Sequence, residues 1–363
     1  MMHRVGGFVC LLLGLLALSA QAQTPAPASP PPAPDQPSIK LGVLIFADYT
    51  VQQQPKITDA DGNEVTYSTF QITRSYINVT GNITKNIAFR LTPDIVRETS
   101  VGSSLNGSYA FRLKYAFIQW NLDNYLTPGS FARFGMQQNP WIDFIDSVYR
   151  YRFQGQTFED REGYLPSADT GATFHYSLPG NYGDVHTGFY NGETFQRVEV
   201  NDQKAFQVRG TLRPLPGNDL LKGLRLTGFY DHDAYVKNAE RRRGIFGVTY
   251  EHRYLNAGFN FLSTTDQISA TRAAVDGRGW SMFVTPKTTM GWEGLFRVDH
   301  LEPNTDVDGQ KKDRTIGGIA YWFPEHSGIT TALLFDVDNV KYAGFSPSRP
   351  TERRFALHAL LNF

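Results

Sequence analysis

RFALHALLNF, residues 354 to 363, is an alternating strand that runs to the last residue of the sequence. Side chains on a strand change sides with period two. Phe355, Leu357, Ala359, Leu361 and Phe363 therefore share one face, and Arg354, Ala356, His358, Leu360 and Asn362 the other. A soluble protein rarely ends on its most apolar face. A barrel in the bacterial outer membrane commonly does, because its last strand must close on its first. A terminal aromatic also resembles the signal by which such barrels are recognised for insertion. The strand thus predicts a membrane β-barrel with Phe363 as assembly signal; the competing reading is a core strand of a soluble sandwich.

The other end agrees. Residues 1–4 form a short positive region, 5–18 are almost entirely apolar, and Ala20-Gln21-Ala22 is a small-x-small cleavage site. This predicts a secretory signal peptide over 1–22, too short and wrongly flanked for a spanning helix. Cys10, the only cysteine, lies inside the apolar stretch, so the mature chain is expected to have no disulfide, thiol ligand or thiol catalysis. Residues 23–38 carry prolines at 25, 27, 30, 31, 32, 34 and 37 and read as a stiff periplasmic linker.

Residues 39–363 show no composition break and read as one barrel domain. Mean hydropathy is −0.34, and this part has no apolar run near the length of a membrane helix. A membrane barrel alternates lipid-facing and water-facing residues, so its average hydropathy is unremarkable. The 18 Tyr, 26 Phe and 5 Trp are enough for aromatic girdles at both interfaces. Zero formal charge gives no sign of a nucleic-acid partner.

Period-two patterning predicts about sixteen antiparallel strands, near 39–49, 69–80, 85–92, 109–120, 130–137, 170–177, 183–190, 204–213, 223–231, 243–251, 254–263, 279–285, 292–300, 314–322, 328–338 and 353–363. Connection lengths sort with them. With both termini in the periplasm, the odd-numbered connections are extracellular and all eight read as long: 50–68, 94–108, 138–169, 191–203, 232–242, 264–278, 301–313 and 339–352. The intervening ones are mostly tight, as in outer-membrane barrels. A charge on the lipid face costs roughly 2–4 kcal/mol at mid-bilayer, which fixes the faces. Tyr109, Phe111, Leu113, Tyr115 and Phe117 are expected outside and Arg112, Lys114 and Ala116 inside. In the second strand Phe70, Ile72 and Tyr76 share a face with Arg74, which a bulge near Tyr76 would repair.

The third extracellular connection is too long and aromatic for an idle surface loop. Trp141, Phe144, Tyr149, Tyr151, Phe153 and Phe158 need burial, and the economical place is inside the barrel. Residues 141–151 are predicted to start it as a short helix. A loop folded inward narrows the channel and brings its charges to the tightest point. Arg150, Arg152 and Arg161, opposed by Asp143, Asp146, Glu159, Asp160 and Glu162, are the candidate constriction residues. Arg90, Arg112, Lys114, Arg133, Arg209, Arg225 and Arg297 are the candidate pore lining, with Asp48, Asp231, Glu251, Glu293, Asp299, Asp336 and Asp338 also inward.

The run FARFGMQQNPWIDF…VYRYRFQGQTFEDREGYLPSADTGA, from Phe131 onward, resembles the phosphate-selective porin O and P family and its broader porin relatives. The resemblance implies a sixteen-stranded, trimeric outer-membrane porin with an inward third loop. It would admit small hydrophilic solutes, with phosphate or organic anions preferred. There are 24 arginines against 11 lysines, and guanidinium forks suit carboxylate or phosphate. Lysine clusters are absent, however, and the loop carries more acids than bases. The outer-membrane setting implies as partners membrane lipid and lipopolysaccharide, which Arg241-Arg242-Arg243 could meet, and the barrel assembly machinery.

No cofactor or metal is expected. The acidic runs at 59–64 and 306–309 have oxygen-ligand spacing but read as turns. The chain lacks HExxH, GxSxG, Walker and dinucleotide signatures, so it is not expected to be an enzyme. A lipid-face hydrolase and a structural or adhesin barrel are the rival functions.

Overall fold

The computed structural model describes residues 37–363; the predicted signal peptide and all but the last two residues of the predicted linker lie outside the described residues. Sixteen antiparallel strands close into a barrel: β1 (Ser38–Thr58), β2 (Glu64–Thr84), β3 (Ile87–Arg97), β4 (Tyr109–Asn121), β5 (Phe131–Gln138), β6 (Ala168–Ser177), β7 (Gly183–Tyr190), β8 (Ala205–Leu212), β9 (Leu224–Val236), β10 (Ala239–His252), β11 (Leu255–Asp266), β12 (Val275–Pro286), β13 (Trp292–Glu302), β14 (Lys311–Trp322), β15 (Thr330–Ala343) and β16 (Glu352–Asn362). Every strand pairs with its sequence neighbours, and β1 closes on β16 in the register Phe46↔Leu360, Asp48↔His358, Thr50↔Ala356. The seam buries Ala356 and His358 on the inside and leaves Leu357 exposed outside, as the alternation of the last strand requires.

Outward-facing residues form the apolar coat. Phe259, Phe261, Leu333 and Phe335 are exposed, while Asn256, Asn260, Asp336 and Asp338 on the same two strands are buried inside. At the tight-turn end of the cylinder, Trp120, Tyr182, Tyr254, Trp292 and Phe363 are all exposed. A ring of aromatics at one rim is what a membrane–water interface accommodates, since the ring is apolar and its edge polar.

Two connections differ from the sequence reading. The first is no long loop: β1 and β2 continue as a two-stranded ribbon closed by a turn at 59–63, where the Asp59 carboxylate accepts the backbone N–H of Asp61 and Asn63. Between β9 and β10 only Lys237 and Asn238 remain, with Asn238 in the left-handed region that a two-residue hairpin demands. Polar residues in these stretches masked the strands, because above the membrane both faces of a ribbon can be wet.

Two bulges reset the inside–outside parity. On β2 the register slips between Phe46↔Arg74 and Ala47↔Ile72, which places the bulge at Thr73, three residues before Tyr76, where it was expected. Phe70 and Ile72 then point outward, while Tyr76 is buried inside. On β4 the slip between Thr92↔Tyr115 and Pro93↔Leu113 makes Lys114 the extra residue. Phe111 and Leu113 face out as expected, but Tyr115 and Phe117 are buried inside and Ile118 and Trp120 take the outer face. The expectation for Tyr115, Phe117 and Ala116 fails because strict alternation counts straight through a bulge.

Candidate functional site

The long connection after β5 folds into the lumen. It contains helix α1 (Pro140–Tyr149) and a single turn, α2 (Phe158–Arg161). Asn139 caps α1, its side-chain oxygen accepting from the N–H of Trp141 at 2.9 Å and Ile142 at 3.2 Å, and Pro140 occupies the first turn, where its missing N–H costs nothing. The helix ends at Arg150, which takes the left-handed conformation and returns its N–H to the Asp146 carbonyl at 3.0 Å. Trp141, Ile142, Ile145, Val148 and Tyr149 form one buried stripe, whereas Asp143 and Ser147 stay exposed.

That stripe packs on the inner wall, so a porous cylinder acquires a hydrophobic core on one side. Trp141 meets Phe229 of β9, Tyr149 stacks edge-on to Phe283 of β12, Tyr151 and Phe153 meet Trp322 of β14, and Phe153 reaches Phe46 of β1. Glycines on the wall make the seats. A Cβ on Gly247 would come within 2.9 Å of the Trp141 ring, and one on Gly279 within 2.7 Å of Phe158. Polar pins hold the helix at both ends: Asn139 donates to Gln207 of β8 at 3.1 Å, and Asn256 of β11 donates to the Val148 carbonyl at 2.9 Å.

Ion pairs complete the attachment. Arg150 reaches Glu293 at 3.3 Å under the Trp322 ring, and Tyr151 donates to the same carboxylate at 2.9 Å. Arg161 reaches Asp338 at 3.5 Å, and Lys312 of β14 binds Glu162 at 2.7 Å. Arg241 and Arg243 turn inward to the Tyr164 carbonyl and to Asp233 and Asp266; only Arg242 of that triplet is exposed. The triplet read in sequence as a lipopolysaccharide contact is largely a loop clamp.

The candidate constriction residues separate into two groups. Arg152 sits between Asp146 at 3.2 Å and Asp160 at 2.6 Å, and Asp143 projects from the exposed face of α1. Glu159 does not face the channel: it is fully buried and accepts from Asn260 of β11 at 2.5 Å. Burial pushes its carboxyl up to about 7. Among the candidate lining residues, Arg297 is also sealed beneath the loop, bonded to Asp299 at 2.7 Å and to the Gln156 carbonyl at 2.8 Å. Arg209 is buried against the ring of Phe144 and pairs with the half-buried Asp184, and Arg225 pairs with Glu251.

The wall facing the loop is different in character. Arg90 lies over Tyr115 and bonds Asn78 and Thr92; Arg133 lies over Phe117 and Phe131; Arg112 pairs with the buried Asp94 at 2.8 Å. Lys114 is buried among Tyr76, Tyr115 and Phe195 and makes no ion pair among the described residues. Arg133 is within electrostatic reach of Asp143, and Lys114 of Asp146, so basic wall and acidic helix confront one another across the lumen. Arg74, Asp94, Arg314 and Phe195 were missed as site residues in sequence. Parity counted from Ala320 points Arg314 inward; nothing local marks Phe195, which arrives from the connection after β7.

A single sealed cylinder of sixteen antiparallel strands, one long connection folded inside it, and short turns at the other end leave few known architectures. The fold is that of the outer-membrane porins. An anion-selective porin from Comamonas acidovorans superposes with a TM-score of 0.57 over 90% of this chain and 99% of its own, at 10% identity. The porin fold is shared equally with the outer-membrane channel DcaP of Acinetobacter baumannii, TM-score 0.58, 10% identity, 90% of this chain and 98% of that one. OmpT of Vibrio cholerae, an outer-membrane protein in trimer form, matches at 0.57 and 12% identity over 91% and 100%. No protein-family model and no curated protein matches the sequence.

Proposed function

We propose that the chain is a water-filled diffusion channel of the outer membrane for small hydrophilic solutes, with anions such as phosphate or organic acids preferred, and that it catalyses no reaction. The long-connection end faces outward and both termini lie in the periplasm. One observation carries the reading. The third loop is seated on the wall from β8 to β14 by buried aromatics, and its acidic helix faces a wall lined with Arg90, Arg112 and Arg133, with Lys114 buried among them. Fixed opposite charges across a narrow opening orient a solute's dipole, and rings of cationic side chains favour anion passage.

In this reading Arg152, Asp143 and Asp146 stand at the constriction, and Arg150, Arg161, Glu159, Arg209, Arg225 and Arg297 hold loop and wall. The fold's likeness to a trimeric outer-membrane protein supports assembly as a homotrimer. Purified protein reconstituted in liposomes should admit small sugars, and reversal potentials in a KCl gradient should lie on the chloride side. Cation preference would overturn the anion part. Lipid hydrolysis without solute entry would overturn the pore itself and favour the hydrolase.

A further inference from the structure

Above the third loop, on the long-connection side, lies a cavity of about 410 Å³ between the loop residues 152–156 and the inner faces of β1, β2, β14 and β16. Its charged lining is one-sided. Arg74, Arg152, Arg161, Arg314 and Arg354 contribute five guanidiniums; among the described residues Asp48 is the only carboxylate there. Asp48 is already engaged, its Oδ1 accepting from Thr50 at 3.1 Å and Gln71 at 3.0 Å.

The arrangement of three of these arginines is unusual. Arg161, Arg314 and Arg354 converge on a single atom, Oδ2 of the buried Asp338, at 3.5, 2.6 and 2.6 Å. One carboxylate oxygen cannot neutralise three guanidiniums or satisfy the five N–H donors each carries. Arg314 and Arg354 make no other side-chain hydrogen bond among the described residues, and the Arg314 Nε is buried without a partner. Asp338 fixes the three forks, and all three guanidiniums line the cavity. On the loop side Arg152 is fixed in the same way by Asp146 and Asp160, while Arg74 donates to the Tyr76 hydroxyl at 2.7 Å.

We propose that this cavity is a binding subsite for small dianions bearing carboxylate or phosphate oxygens, which would dwell there before passing the loop. The proposal rests on the channel reading above and deepens it. The reasons are chemical. A planar fork matches a two-oxygen anion bidentately. A ligand with two negative charges can engage the Asp338-backed trio and a second arginine together, and a monoanion cannot. The cavity volume falls within the roughly 300–1,000 Å³ usual for small-molecule sites. Because the backing carboxylates offset much of the charge at a distance, the site acts at contact range and not by a long-range field. A clamp for Arg161 would need one of the three arginines; Arg354, which sits on β16 and touches no loop residue through a hydrogen bond, is surplus to that role.

The test pairs two measurements on detergent-refolded full-length protein. Succinate and inorganic phosphate are titrated by calorimetry, with acetate at equal ionic strength as control, and the same anions are added to single channels in a planar bilayer in KCl. Saturable binding of succinate or phosphate, absent with acetate, with matching interruptions of the current, is expected. Arg354→Gln should raise the half-saturating dianion concentration on the order of tenfold, and Arg354→Lys, which keeps the charge and loses the fork, by an intermediate factor. Folding of each variant is checked by circular dichroism and its thermal unfolding. Equal effects of acetate and succinate, or an unchanged titration in both Arg354 variants, overturn the subsite. Conductance without saturable binding removes the subsite and leaves the channel. Saturable binding without conductance removes the channel and leaves the subsite.

Discussion

Lys114 on β4 donates to the Ser167 hydroxyl at 2.8 Å and so joins the basic wall to the far end of the third loop. That single neutral partner leaves the charge itself uncompensated by a carboxylate among the described residues, amid three aromatic rings. A buried cation of this kind is costly to keep, and at 1% exposure it can act on a passing solute only through its field. Lys114→Met is expected to move the KCl reversal potential toward cations while leaving thermal unfolding unchanged or slightly raised. A variant that unfolds several degrees earlier with its selectivity intact would make Lys114 a structural residue.

Arg297 offers the opposite case. It is 1% exposed, bonds Asp299 twice and carries the Gln156 carbonyl. Removing one partner of a buried pair strands the other, at about 3–5 kcal/mol. Arg297→Ala should therefore loosen the loop, seen as protease cleavage within 150–162 and a noisy open-channel current. Replacing both members, as Arg297→Met with Asp299→Leu, should recover most of the loss. Equal damage from the double variant would show that the Gln156 contact, and not the stranded charge, dominates.

The loop's attachment should depend on pH through Glu159. Its carboxyl is raised to about 7 by burial in α2, from an ordinary value of 4.5. A raised carboxyl is accommodated as the neutral acid. Docking is then strongest below about 4.5, weakens as pH climbs from there to about 7 because only the undocked carboxyl ionises in that interval, and is level above it, a loss on the order of 3 kcal/mol at most. Loop opening, followed by hydrogen exchange of 150–165 between pH 4 and 9 and corrected for intrinsic exchange, should rise up to about pH 7 and then level off in the natural protein, and stay flat in Glu159→Gln. A flat natural profile would mean that the carboxyl ionises alike in the docked and the open loop.

Gly247 is the seat of Trp141, and the fit is tight enough to test. A side chain on Gly247 would collide with the ring at 2.9 Å. Gly247→Val should displace the indole, red-shift its fluorescence and lower the unfolding temperature. Trp141→Ala instead leaves a void, at about 3–5 kcal/mol. If Gly247→Val behaves like the natural protein, the wall relaxes at this point and the helix is held mainly by Asn139 and Asn256.

Alternation and connection length made most of the barrel legible in sequence, because lipid on one side forces period two and the assembly route forces short turns on one end. What stayed hidden has a physical reason in each case. Tyr115 and Phe117 changed sides because a one-residue bulge at Lys114 leaves no mark in composition. Glu159 and Arg297 were read as lumen charges because parity tells inside from outside, not bare wall from wall covered by the loop. Arg74 and Arg314 join one cavity from strands far apart in sequence, a meeting that only barrel closure and the loop's path create.

Phe363 now has a geometry against which its proposed role in assembly can be separated from simple strand pairing. Its backbone N–H and carbonyl exchange bonds with Val43, at 3.1 and 2.9 Å, at the end of the β1–β16 seam, and its ring is 52% exposed on the aromatic rim. Deleting the residue removes both the ring and two seam hydrogen bonds, so a loss of insertion alone proves little. Phe363→Ala keeps the backbone pairing and removes only the ring. If the aromatic is the assembly signal, Phe363→Ala and the deletion should both reduce the folded protein recovered in outer-membrane fractions severalfold, while Phe363→Tyr should restore it. Channels from the alanine variant refolded in detergent should keep the natural ion selectivity, because the ring lies outside the lumen. Normal insertion of Phe363→Ala with failure of the deletion would assign the effect to the seam and take the signalling role away from the ring.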